Sequence, residues 1–349
     1  MFPLDFPLQQ LAAHPGATRV LDPFCGRGTT LYAARLAGLP SVGIDINPVA
    51  AAIARAKLVQ VTSGAVARLA NEILSSDVRV EAPDGEFWQW CYEGETLREV
   101  VTLRSALLAL DTPTAVMLRA VMLGILHGPR NKQLPSYVSN QMPRTYASKP
   151  AYAVKFWKNR DMRPTRILTL DVIKRRASRL LDSVPLAKGG RVYLGDSVET
   201  LLGLRQKFDL VVTSPPYYGM RTYISDQWLR SWFLGGLPEV PYSSQGQIAR
   251  QPNQDAFIRA LADVWAAAAV RCRQGSRLAV RFGALPSART DPERLLLASI
   301  EQANAGWVVK EVRPAGISPK RARQAEQFGK AGSAIDEIDV VAELSGLLW

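Results

Sequence analysis

Short apolar runs alternate with stretches of helical period over the first part of the chain. Thr18 to Asp22 reads as a strand, a glycine turn follows, and about Thr29 to Ala37 has the spacing of a helix. Ser41 to Asp45 is a second strand, and Asn47-Pro48 opens a helix, with Asn as the cap and Pro as the first helical residue. From about Val61 to Pro185 the pattern is helical, including Thr96 to Leu110 and Thr114 to His127, with a break at Asp111-Thr112-Pro113. Strand runs return at Arg191 to Leu194, Asp209 to Thr213, Arg277 to Phe282, Trp307 to Val312 and Ile338 to Ala342, separated by helices such as Asp255 to Arg273. The expectation is an α/β fold with a parallel sheet split by a helical insertion: residues 1–60 and 188–349 form one domain and residues 61–187 the insert. Internal repeats are absent, and the polar stretch Pro241 to Pro252 reads as a loop.

Composition narrows the class. At 349 residues and 47% hydrophobic content the chain can bury a sizeable core. No apolar run is long enough to span a bilayer, and MFPLDFPLQQ lacks a signal-peptide layout, so a cytoplasmic protein with no membrane partner is expected. Three cysteines and two histidines give neither a disulfide framework nor metal-ligand spacing, so free thiols and no metal are expected. The net charge is +12, and Gly128 to Lys188 holds fourteen Lys or Arg against three Asp, nearly all of the excess. A polyanionic partner fits that concentration of charge.

The candidate chemistry sits at two strand ends. Asp22-Pro23-Phe24-Cys25-Gly26-Arg27-Gly28-Thr29-Thr30 joins a strand to a helix, where glycines allow a tight turn and a close approach of backbone N–H groups to a ligand. No Gly-Lys-Ser/Thr follows, so a cofactor without a phosphate cradle fits better than a nucleoside triphosphate. Asp45 ends the next strand, where a carboxylate can accept both hydroxyls of a ribose. In the second string, Thr213-Ser214-Pro215-Pro216-Tyr217-Tyr218-Gly219, the prolines fix φ and lack N–H groups. Carbonyl oxygens can then point outward and accept from an amino group, with the Ser214 hydroxyl and the Pro215 carbonyl as the acceptors.

The first string resembles the S-adenosylmethionine-binding motif of DNA amino-methyltransferases, Asp-Pro-Phe-x-Gly-x-Gly-Thr-Thr, with Cys25 and Arg27 at the free positions. The second resembles the Ser-Pro-Pro-Tyr catalytic motif of the cytosine-N4 members, while adenine-N6 members more often begin it with Asp or Asn. The resemblance covers about Phe2 to Val59 and Arg191 to Leu344. In most Ser-Pro-Pro-Tyr enzymes the catalytic motif comes first; here the cofactor motif does. The resemblance implies a Rossmann-like methyltransferase sheet and S-adenosylmethionine bound by Phe6, Asp22, Phe24, Gly26, Gly28, Thr29, Thr30, Asp45 and Asp196. It gives Asp45 the ribose and Asp196 the adenine amino group, and places an aromatic such as Phe6 near the methionine moiety; simple core packing is the other reading of Phe6.

Ser214, Pro215, Pro216 and Tyr217 would form the catalytic set, with Tyr217 stacking on a base flipped out of the duplex. No Pro-Cys dipeptide occurs, so direct transfer to nitrogen is expected rather than a covalent route to a ring carbon. DNA is the expected partner, held by Arg144, Lys149, Lys155, Lys158 and Arg160, which are interleaved with Tyr146, Tyr152, Phe156 and Trp157. A cognate restriction or defence protein is a compatible second partner. Adenine N6 in DNA, an amino group in RNA, and noncatalytic nucleic-acid binding are the alternatives at this point.

Overall fold

The computed structural model describes residues 2–129, 134–142, 146–181, 189–219, 225–240, 248, 251–283, 290–315 and 337–345. In chain order its helices are α1 (Asp5–Ala12), α2 (Thr29–Leu36), α3 (Pro48–Ala56), α4 (Ser63–Leu74), α5 (Glu86–Cys91), α6 (Gly94–Ala109), α7 (Pro113–Ile125), α8 (Pro150–Lys158), α9 (Thr169–Leu181), α10 (Ser197–Gly203), α11 (Trp228–Phe233), α12 (Gln254–Val270) and α13 (Pro292–Gln302). Its strands are β1 (Val20–Asp22), β2 (Ser41–Asp45), β3 (Gly190–Leu194), β4 (Phe208–Thr213), β5 (Cys272–Gly283), β6 (Trp307–Pro314) and β7 (Glu337–Leu344). Two compact units result, one from residues 1–58, 187–221 and 245–349, the other from residues 59–186 and 222–244.

The first unit holds one seven-stranded sheet in the order β3-β2-β1-β4-β5-β7-β6. Strands β1 to β5 pair in parallel, and β7 runs antiparallel between β5 and β6. This is the expected Rossmann-like α/β sheet, split in sequence between β2 and β3. The chain order reverses at the β1–β4 pair, and the crevice outside such a switch point is where open α/β sheets take ligands.

Both faces of the central strands are apolar, as a sheet covered on two sides requires. Alternate residues of β1 separate the two cores. Leu21 joins Val42, Ile44, Val211, Val280 and Phe282 under α12, while Val20 joins Leu210, Val212 and Ala279 under α1 and α2. The edge strands β3 and β6 expose most of their residues. Local sequence explains several helix starts: Asn47 caps α3 ahead of Pro48, and Asp291 caps α13 ahead of Pro292, each side chain accepting from two backbone N–H groups.

The second unit is helical. In it α7 is buried on most sides, capped by Thr112 with Pro113 next, and α4, α6 and α9 pack on it. Phe87, Trp88, Trp157, Trp228 and Trp232 form a ring cluster, with centroids 4.4 Å apart for Trp88–Trp232 and 4.8 Å for Phe87–Trp228. Residues 225–240 group with this unit, whereas the expected division placed them with the sheet. The indoles of α11 bury their area against Phe87 and Trp88, and Trp228 Nε1 donates to the Ser148 carbonyl at 3.2 Å.

Candidate active site

The glycine turn leaves β1 at Asp22 and enters α2 at Thr29. Gly26 and Gly28 hold φ of +51° and +75°, the left-handed region that glycine occupies without strain. Their surroundings differ. A Cβ on Gly28 would sit 3.0 Å from the Ala54 Cβ and 3.1 Å from its Cα, whereas one on Gly26 would meet nothing within 4 Å. Gly28 is thus needed for close packing of the turn on α3, and Gly26 faces open space at the sheet edge. Thr30 donates to the Val212 carbonyl at 3.1 Å, tying the start of α2 to β4.

Asp45, at the end of β2, accepts from Gly26 N at 2.8 Å through Oδ2 and from Asn47 N at 2.8 Å through Oδ1. Burial pushes its carboxyl pKa up, and these two bonds oppose the shift. One side chain therefore shapes the turn while each oxygen keeps a further lone pair for a ligand. At the end of β3, Asp196 caps α10, its Oδ1 accepting from Val198 N and Glu199 N at 2.8 and 3.1 Å. Ser197, which sequence reasoning did not single out, donates to the Pro23 carbonyl at 2.6 Å and locks this loop to the glycine turn. Lys57 was also missed: its ammonium donates to the Gly28 carbonyl at 3.4 Å, and burial, with Arg27 nearby, lowers its pKa to about 8.

The two motif strings meet through a bond that neither motif announces. Thr213, the last residue of β4, donates its hydroxyl to Asp22 Oδ1 at 2.6 Å, and both residues are fully buried. Asp22 Oδ1 also accepts from Phe24 N at 3.1 Å, while Oδ2 is buried with no hydrogen-bond partner. Burial raises the Asp22 pKa to about 6, against the lowering effect of its hydrogen bonds. Phe24 is half-buried and sets its ring edge-on to Trp265 at 6.1 Å.

Ser214 and Pro216 are half-buried and Pro215 is buried at the exit of β4. Tyr217 departs from expectation. Only 9% of it is exposed, its ring meets Phe282 edge-on at 5.8 Å, and its hydroxyl donates to Glu337 Oε1. It is a packed residue here, not an open stacking platform, because both its ring and its hydroxyl find partners on β5 and β7. Phe6 takes the core-packing reading. It is 1% exposed among Phe2, Leu11 and Val20, with the Arg281 guanidinium over its ring at 4.4 Å, so core packing leaves it no face for a cofactor.

In the helical unit, Lys149, Lys155, Lys158 and Arg160 are exposed, and Arg144 lies outside the described residues. Lys158 pairs with Glu86, and Arg160 lies over the Phe156 ring at 4.2 Å. Tyr146 and Tyr152 are exposed, but Trp157 is fully buried in the ring cluster and is not available to a base. Arg230 donates to the Leu123 carbonyl at 2.8 Å, and Arg221 lies outside the described residues. Cys25, Cys91 and Cys272 are buried free thiols whose pKa burial pushes up, to about 12 for Cys272. Among the described residues no cluster of His, Cys, Asp or Glu could hold a metal ion, and no helix is long and apolar enough to cross a membrane.

No family model and no curated protein matches the chain. Among solved structures it is similar to TrmN from Thermus thermophilus, at 12% identity and TM-score 0.35 over 98% of this chain and 48% of that one. It is also similar to a S-adenosylmethionine-dependent methyltransferase from Clostridium acetobutylicum, at 7% identity and TM-score 0.37 over 98% and 91%. A third is magnesium protoporphyrin IX methyltransferase from Synechocystis PCC 6803 with bound SAM, at 10% identity and TM-score 0.34 over 97% and 77%. The chain spans about half the length of the first. At these values the likeness bears on neither substrate nor partner, and the fold stands on the strand order and register of the sheet itself.

Proposed function

We propose that the protein is a S-adenosylmethionine-dependent methyltransferase that methylates the exocyclic amino group of a flipped DNA base, cytosine N4 in the first place. The observation that carries this reading is the Thr213–Asp22 hydrogen bond, which holds the glycine turn and the Ser-Pro-Pro-Tyr string together at the switch point of one sheet. The residues fit the cofactor: Gly26 opens on free space, Asp45 keeps acceptor capacity beside it, and Asp22 carries an unpartnered buried carboxylate oxygen that suits a cationic ligand. When bound, the sulfonium cofactor supplies a methyl group that is already activated.

The chain's own work is then positioning and hydrogen bonding. Asp45 holds the turn and accepts from the ribose, and Asp196 offers its Oδ2 to the adenine amino group while Oδ1 caps α10. Ser214 Oγ and the Pro215 carbonyl would accept from the amino group of the base, directing its nitrogen lone pair at the methyl carbon; as the N–C bond forms the methyl–sulfur bond breaks, and the surplus N–H proton leaves to water. The raised thiol pKa values disfavour a cysteine nucleophile, in keeping with direct transfer to nitrogen. Lys149, Lys155, Lys158 and Arg160 supply phosphate contacts, exchanging their present partners, Glu86 among them, for phosphate oxygens.

Nucleoside mass spectrometry after incubation with labelled S-adenosylmethionine and DNA of varied sequence tests the reading. N4-methylcytosine is expected. N6-methyladenine would move the target to adenine, and label entering only RNA would sink the DNA assignment.

A further inference from the structure

Glu337 lies 120 residues beyond Tyr217 in sequence, and no motif marks it. Topology brings the two together. Because β7 runs antiparallel to β5, its first residue pairs with Gly283, the last residue of β5, and so lies at the carboxyl edge from which the Ser-Pro-Pro-Tyr string leaves β4. Glu337 is 9% exposed, and its Oε1 accepts the Tyr217 hydroxyl. At the other end of the string, Thr213 is fixed to Asp22. Between these anchors lie Ser214, Pro215 and Pro216, two of which have φ fixed by their rings.

Resting on the amino-methyl transfer proposed above, we infer that Glu337 is a positioning residue of the transfer site, clamping the exit of Ser214-Pro215-Pro216 through the Tyr217 hydroxyl as Thr213 and Asp22 clamp its entry. The amino group being methylated is a weak nucleophile, so the acceptors that draw on its hydrogens have to be held within a fraction of an ångström. A string clamped at both ends does this without help from the substrate. Glu337 acts on the string through Tyr217, so its loss should lower turnover and spare the cofactor.

The test uses the full chain as Y217F, E337Q, E337L and the double variant Y217F/E337L. Y217F and E337L should each lower kcat by about tenfold to a hundredfold, the range for losing a hydrogen bond to a charged group. KM for the cofactor should stay near wild type. E337Q keeps an acceptor and should retain most of the turnover. The double variant should be no slower than the worse single one. Multiplied losses in the double variant, or wild-type kcat in Y217F, would overturn the assignment. If E337L fails to fold, the contrast between Y217F and E337Q carries the same decision. Thermal unfolding of the same set reads the bond without any substrate. Additive unfolding in an active enzyme refutes the clamp; non-additive unfolding with no methyl transfer from wild type to DNA refutes the transfer reading and, with it, the catalytic purpose of the clamp.

Discussion

Replacing Asp22 by Asn removes a buried charge and keeps its shape. The Asn carbonyl can still accept from Thr213 and Phe24, while the unpartnered oxygen becomes a neutral amide group. In the wild type, burial shifts the Asp22 pKa from 3.8 to about 6, a displacement worth about 3 kcal/mol. Because the folded state binds this proton more tightly than the unfolded one, the contribution is fully present below about pH 4 and is lost as pH rises through about 6. The stabilities of Asp22→Asn and wild type should therefore approach each other near pH 4. They should separate with rising pH until the variant is more stable by up to about 3 kcal/mol at pH 7. Urea unfolding of the cofactor-free protein from pH 4 to 8 measures the difference, in which all other carboxylates cancel. Parallel pH profiles for the two proteins would refute the raised pKa that burial gives Asp22. The same substitution should weaken binding of the cationic cofactor, which calorimetry reads separately.

Two further outcomes follow from the geometry. Gly28→Ala should cost about 2–4 kcal/mol of stability, since left-handed strain adds to a clash with the Ala54 backbone; Gly26→Ala should cost only about 1 kcal/mol yet weaken cofactor binding at least about tenfold, because its methyl group enters the open space. Thermal melts and calorimetry on the pair check this contrast, and equal effects on folding and binding would contradict it. Neutralising Lys155, Lys158 and Arg160 together should weaken DNA binding and flatten its salt dependence by up to roughly 0.9 in slope for each phosphate left without its cation. An unchanged slope in binding titrations would place the DNA surface elsewhere.

Local signals carried the sheet well. The runs at Ser41 to Asp45 and Asp209 to Thr213 are apolar, short and bounded by turn residues, and they form β2 and β4 within a residue of the expected bounds. Asn47-Pro48 and Thr112-Pro113 cap their helices as their chemistry dictates. Period and composition, however, do not say which core an apolar helix joins. The aromatics of α11 find their partners Phe87 and Trp88 far away in sequence, so residues 225–240 group with the helical unit although their local pattern does not show it. Phe6 stayed open between two readings for a related reason, since an aromatic beside a ligand and one in a core have the same local pattern. Within the site, the residues written in the two strings could be read, whereas the bonds of Thr213, Ser197 and Glu337 reach partners 191, 174 and 120 positions away, which no local pattern shows.

The two-piece helical unit also sets an order of events during synthesis. Phe87, Trp88 and Trp157 emerge from the ribosome long before Trp228 and Trp232 arrive to cover them, and the sheet strands β3 and β4 are made in between. Until the chain has passed about residue 233, the aromatic cluster is incomplete and its rings are open to solvent, to chaperones or to one another. A fragment ending at residue 186 lacks Trp228 and Trp232, the rings that meet Phe87 and Trp88 in the full chain.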